Sequence, residues 1–148
     1  MTPLSRLRSR RDAVGAPLCL GIDPHPDQLP DGLPRTAAGV ETFARGIIEA
    51  AAEHVVAVKI NVAFFEALGA EGWAALERVR RDVPSELLCV LDAKRGDIGT
   101  TAERYAEGLF GHLAADAVTL SRLPDTPDDA EVSRVDVIVR LRRAAAAD

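Results

Sequence analysis

The chain has 148 residues, of which 47% are hydrophobic and 28% charged, and its formal net charge is −5. This length fits a single domain, and the composition is ordinary for a globular protein. The acidic balance argues against a nucleic acid or a membrane surface as the general partner, and no apolar stretch approaches the roughly 18–20 residues that cross a bilayer.

The first residues are rich in arginine, with Arg6, Arg8, Arg10 and Arg11 and few acids, a bias shared with organelle presequences. The simpler expectation is a short solvated helix capped by Thr2, with Pro3 at its first position, running into a strand. Apolar runs then recur at Leu18–Ile22, Val55–Ile60, Leu87–Leu91 and Ala117–Leu120. They are continuous rather than alternating, which predicts strands buried on both faces of a parallel sheet.

Helical spacing separates these runs. Val40, Phe43, Ile47, Ile48 and Ala51 form one stripe, with Thr36 as its expected cap; Trp73, Leu76, Val79 and Val83 form a second. A third stripe starts after Gly99, where Thr100 and Glu103 have the spacing of a capping box, and continues through Ala102, Tyr105, Ala106, Leu109 and Leu113. Trp73 reads as a packing residue, His25 as a loop residue between prolines, and His54 and His112 as helix-end residues favoured by the helix dipole. Cys19 and Cys89 lie in apolar runs without the close spacing of a metal site or a disulfide framework, so both are expected to be buried thiols in a reducing cytoplasm.

Polar residues gather where strands end: Asp23 after the first, Lys59 and Asn61 at the second, Asp92 and Lys94 after the third, and Ser121 after the fourth. Strand–helix repetition makes the chain α/β, and polar groups collected at successive strand ends favour a (β/α)8 barrel, whose active site lies on that face. No glycine-rich dinucleotide fingerprint follows the first strand; Asp23-Pro24-His25-Pro26 stands there. The segment Asp92-Ala93-Lys94-Arg95-Gly96-Asp97 places two carboxylates around an ammonium at a strand exit. Charges brought to a low-dielectric surface need partners, and such clusters gather at active sites.

These residues carry a resemblance. Asp92-x-Lys94-x-x-Asp97, followed by Ile98 and Thr101, is similar to the catalytic motif of the orotidine 5′-phosphate decarboxylase family, in the form of its longer bacterial subgroup. The likeness runs from Leu18 to about Ser121 and includes Leu20-Gly21-Ile22-Asp23-Pro24, Val58-Lys59-Ile60-Asn61 and Phe64-Phe65-Glu66. It implies a TIM-barrel carboxy-lyase that converts orotidine monophosphate to uridine monophosphate in pyrimidine biosynthesis, without cofactor or metal, as a cytoplasmic homodimer.

By the same resemblance, Asp23 would bind the ribose, with Asn61 beside it in the substrate site. Lys59 would join the charged network, Asp92 would sit near the substrate carboxylate, and Lys94 would deliver the proton. Asp97 and Thr101 would reach a neighbouring subunit, Ile98 would line the pyrimidine pocket, and Ser121 would contact the base. Two other readings stand beside it: a non-catalytic nucleotide-binding or assembly fragment, and a Mg²⁺-dependent sugar-phosphate lyase sharing Asp-x-Lys-x-x-Asp. Lyases of that kind tend to carry an acid where this chain has Lys59.

A complete barrel takes about 250 residues, so the expectation is the first four βα units over residues 1–121 and a divergent tail over 122–148. The absent half is where such barrels commonly bind phosphate, which predicts a poorly active chain. Open strand edges predict association.

Overall fold

The computed structural model describes residues 2–121. The expected divergent tail, residues 122–148, lies outside the described residues.

Helix α1 (Pro3–Val14) begins as anticipated: the Thr2 hydroxyl accepts from the Ser5 N–H at 3.2 Å, and Gly15, at φ 76°, supplies the left-handed C-cap. The arginines of this helix are not simply solvated. Arg6 donates to Asp116 at 2.6 Å and to the Leu87 carbonyl at 2.8 Å, while Arg10 donates to the Ala52 and Val55 carbonyls. These groups belong to segments that lead into strands, so α1 lies across the end of the sheet where the strands begin. Leu7 packs there against Val56, Ala57 and Leu88.

Four parallel strands follow in spatial order β1-β2-β3-β4: β1 (Cys19–Ile22), β2 (Ala57–Asn61), β3 (Leu88–Arg95) and β4 (Ala117–Leu120). Helices α2 (Ala37–Ala51), α4 (Gly69–Arg81) and α5 (Gly99–Ala106) form the crossovers. A short helix α3 (Val62–Glu66), which the apolar spacing did not announce, turns directly out of β2 on the Asn61 side-chain cap. Every strand runs the same way, so their carboxyl ends share one rim, as in the (β/α)8 barrel type.

The inner strands match the expectation of two-sided burial, with Val58, Ile60, Cys89 and Leu91 inaccessible to solvent. The outer strands do not. In β1 only Ile22 is buried, and no β4 residue is, because among the described residues each is an edge strand with one neighbour. Cys19 is therefore exposed, not buried as expected, whereas Cys89 is sealed in the core and burial pushes its thiol up to about 12.

The predicted helix caps also differ. Thr36 precedes α2 with no side-chain cap bond, and α5 starts one residue before Thr100, at Gly99, so the Thr100/Glu103 capping box does not form. After Ala106 the backbone widens into a π-helical stretch, Glu107–His112. That change of pitch breaks the assumed 3.6-residue stripe: Leu109 and Leu113 are buried, but Tyr105 and Ala106 are exposed. His112 pairs with Glu77 at 2.8 Å in addition to ending this stretch. The His25 ring meets Phe64 edge-on at 4.4 Å, and Trp73 packs partly buried on the core as predicted.

The core is built of aliphatic side chains around Phe65, Ile60, Leu76 and Leu91, all fully buried. Each such side chain contributes about 1.5–3 kcal/mol relative to exposure. Close packing requires glycine at Gly72, where an added Cβ would lie 2.0 Å from the Phe65 carbonyl oxygen. Alanine favours a helix by about 1 kcal/mol over glycine, but overpacking costs about 1–3 kcal/mol, and here the obstacle is backbone. Gly72→Ala should therefore lower stability by up to about 2 kcal/mol in urea unfolding; a stabilised variant would contradict the contact.

The two thiols should also separate chemically. A disulfide reagent at pH 8 is expected to modify Cys19 in the folded chain and Cys89 only on unfolding, and equal rates in the native protein would disprove the burial of Cys89.

Candidate active site

The carboxyl rim of the sheet carries one connected set of charges. Asp92 lies within β3 rather than after it, because the strand extends through the motif to Arg95. Register pairs Lys59 with Gly21 and Val90, and Asn61 with Asp92, so side chains from three strands meet. The Lys59 ammonium donates to Asp92 Oδ2 at 3.0 Å and lies 3.9 Å from Asp23 Oδ2. The Lys94 ammonium donates to the other Asp92 oxygen, Oδ1, at 2.6 Å. Asn61 Nδ2 donates to Asp23 Oδ1 at 2.7 Å while its own oxygen accepts the Ala63 N–H, so one side chain caps α3 and orients Asp23.

Thr119 completes the set and was not singled out in the sequence. Its hydroxyl donates to Asp92 Oδ1 at 2.7 Å. The only hint was a lone polar residue inside the apolar run Ala117–Leu120, which hydropathy alone does not distinguish from a neutral interruption. Asp116 is a second residue that the sequence reading missed. It accepts from Arg6 and from the Cys89 N–H at 2.9 Å, at the opposite end of the strands.

The other expected residues stand apart from the charge set. Asp97 accepts from the Ile98 N–H at 2.8 Å and forms no ion pair among the described residues. Ile98 is 87% exposed, and Thr101 projects from the first turn of α5 into solvent. Ser121 is exposed just past β4, where its hydroxyl neighbours Gly96. Arg95 anchors this loop from below: it binds the Ala93 carbonyl and Glu66, and its guanidinium lies 5.6 Å from the Tyr105 ring centre.

Asp92 is the electrostatic centre. Hydrogen bonds from Lys94, Thr119 and Lys59 hold its carboxyl well below the usual carboxylate range, against the opposing effect of burial. It is therefore an anion at neutral pH, acceptor-only, with both oxygens engaged. Such an arrangement can hold an ammonium at a fixed place and present it to a reacting atom.

The sequence profile of the orotidine 5′-phosphate decarboxylase / HUMPS family matches residues 16–128. An orotidine 5′-phosphate decarboxylase of Roseiflexus castenholzii is 57% identical over 104 residues, covering 70% of this chain and 38% of the relative. One of Herpetosiphon aurantiacus is 47% identical over 118 residues, covering 80% of this chain and 44% of the relative. The solved structure of Leishmania donovani OMP decarboxylase superposes with a TM-score of 0.71 at 43% identity, over 81% of this chain and 44% of that one. The chain thus spans less than half the length of each of these three relatives.

The depressed carboxyl of Asp92 has a definite pH signature. A carboxylate whose folded pKa lies below its unfolded value of about 3.8 stabilises the fold above that value, and loses this contribution as pH falls towards the folded pKa. The difference in stability between the native protein and Asp92→Asn should be full at pH 7 and shrink below about pH 4. Urea midpoints measured at several pH values check this, and a gap that does not depend on pH would refute it. With a family profile matching most of its length and a relative's structure sharing its fold, the chain belongs to the orotidine 5′-phosphate decarboxylase / HUMPS family.

Proposed function

We propose that the protein acts as an orotidine 5′-phosphate decarboxylase, yielding uridine monophosphate and carbon dioxide. The observation that carries this reading is Asp92 holding the Lys59 and Lys94 ammonium groups on its two oxygens at the sheet rim. Loss of carbon dioxide from C6 of the pyrimidine leaves an electron pair in an orbital that the ring does not delocalise. A fixed ammonium beside C6 stabilises that charge as it develops and then protonates it.

In this scheme the bond from C6 to the carboxyl carbon breaks and its electrons stay on C6. A Lys94 N–H proton then forms the new C–H bond, and Lys94 recovers its proton from water. Asp92 faces the departing carboxylate and keeps Lys94 aimed, while Lys59 holds the second Asp92 oxygen and reaches towards the sugar. Asp23, oriented by Asn61, takes the ribose hydroxyls. Ile98 lines the pyrimidine pocket and Ser121 contacts the base.

Asp97 and Thr101 complete the site of a second subunit in a homodimer. Their exposure, and the lack of an ion pair for Asp97 among the described residues, support that assignment. A cytoplasmic location follows from the pathway; no helix among the described residues is long and apolar enough to cross a membrane.

The family name covers sugar-phosphate enzymes as well, and Lys59 favours the nucleotide substrate. It puts a cation against Asp92 where a Mg²⁺-dependent lyase tends to use an acid, and the relatives named above are decarboxylases. The phosphate of the substrate is bound elsewhere in a complete barrel, in loops after the last strands.

The test is a protein completed with the remaining residues of the Roseiflexus castenholzii relative, assayed by loss of orotidine monophosphate absorbance. Turnover is expected in the completed protein, with at least a hundredfold loss in Lys94→Ala, within the range of about 10²–10⁴ that a positioned acid supplies. A folded, completed protein without turnover would reject the reading, as would a Lys94→Ala variant of near-normal rate.

A further inference from the structure

Strands β3 and β4 do not stay in step at the motif. Leu91 pairs with Val118, but the next pair is Arg95 with Leu120, so Asp92, Ala93 and Lys94 face Thr119 alone. Extra residues of this kind bend a strand, disrupt its ladder and re-aim side chains, and they recur beside active sites. Two costs follow here. Lys94 takes φ 45°, in the left-handed region that disfavours residues with a Cβ. Its backbone N–H also loses the regular ladder acceptor.

Thr119 answers the second and holds the backbone in the first. Its Oγ1 accepts the Lys94 N–H at 3.2 Å and donates to Asp92 Oδ1 at 2.7 Å. A hydroxyl has one proton and two lone pairs. Ionised Asp92 is acceptor-only, so that proton must point at Asp92, which leaves a lone pair for Lys94. The direction of both bonds is thereby fixed, and the β-branched side chain adds a stiff χ1.

Asp92 Oδ1 is also the oxygen that receives the Lys94 ammonium at 2.6 Å. One hydroxyl therefore touches the lysine's backbone and the carboxylate that its side chain grips, closing a ring through residues 92 to 94.

We propose that Thr119 is a positioning residue for the reacting pair: its hydroxyl locks the irregular backbone at Lys94 to the Asp92 carboxylate and so sets where the Lys94 ammonium points. This rests on the reading of Asp92 and Lys94 as the chemical centre. Thr119 itself touches no reacting atom in the scheme above. Its loss is expected to impair the chemical step without weakening substrate binding, because misplacing a catalytic group by about 1 Å costs roughly a hundredfold in rate.

Two measurements test it. In the 148-residue chain, amide hydrogen exchange at Lys94 should quicken roughly tenfold in Thr119→Val, about the effect of one lost hydrogen bond. Thr119→Ser should retain the native rate, and the Val90 and Leu91 amides should not change. If Thr119→Val does not fold, Thr119→Ala is read in the same way. In the completed barrel, Thr119→Val should lower kcat by roughly ten- to a hundredfold with KM unchanged, and Thr119→Ser should restore it. Native exchange at Lys94 in the folded variants lacking the hydroxyl overturns the proposal, and so does a change confined to KM, which would put Thr119 on the substrate. A completed native protein without turnover would reject the decarboxylase reading, while the exchange result still decides the role of Thr119.

Discussion

Asp92 binds one ammonium on each of its two oxygens, and the carboxyl rim of the sheet is organised so that this persists at the edge of an apolar core. The carboxylate comes from β3, one lysine from β2 and the other from two residues further along β3, while β4 supplies the hydroxyl. Strands β2 and β3 must therefore keep regular register through Asn61 and Asp92, while β4 must hold Thr119 against the irregular stretch of β3. A slip of one would turn each side chain to the other face. The core beneath, with Val58, Ile60, Cys89 and Leu91 fully buried, supports that pairing through packing.

The opposite end of the strands holds polar groups of a different kind. Arg6 and Arg10 reach from α1 to carbonyls of the segments that enter the strands, and Asp116 ties Arg6 to the Cys89 N–H. Bonds to the backbone of Val55, Leu87 and Cys89 satisfy groups of buried residues, where an unpaired donor or acceptor costs about 1–3 kcal/mol. The sheet thus has a closed end, whose charges serve stability, and an open end, whose charges have solvent beside them. That division matches the barrel rule that chemistry lives at the strand C-termini and structure at the N-termini.

The legible parts of the sequence were those governed by short-range pattern. Continuous apolar runs located all four strands among the described residues, and the spacing of Val40, Ile48, Leu76 and Val79 located α2 and α4, because burial of a strand or helix face leaves a period in the chain. The cluster Asp23, Lys59, Asn61, Asp92 and Lys94 was legible from its position at strand exits. What failed depends on neighbours distant in sequence. Cys19 sits in an apolar run yet is exposed, since an edge strand lacks the partner that would cover it. Tyr105 and Ala106 fit a helical stripe that the π-helical stretch from Glu107 shifts out of phase. Thr119 and Asp116 are single polar residues whose roles arise only when β4 lies against β3, and no local pattern marks them.

Solvent sets the strength of the charged centre. Lys94 is 62% exposed at its side chain, whereas Asp92 is only 11% exposed. Two unit charges about 4 Å apart interact by about 1 kcal/mol in water and by about 4 kcal/mol at the effective dielectric near a protein surface. The anion is thus held in the protein's medium, while one of its cations faces water, so the pair is preorganised in geometry but screened in effect. Displacing water from above Lys94 would strengthen its field without moving an atom of the protein, because the ring through Thr119 has already fixed its direction. A group laid over the rim, flanked by the exposed Ile98 side chain, would accomplish this. The stiffness is built into the backbone at Lys94, and the gain in electrostatic strength is left to whatever covers the rim.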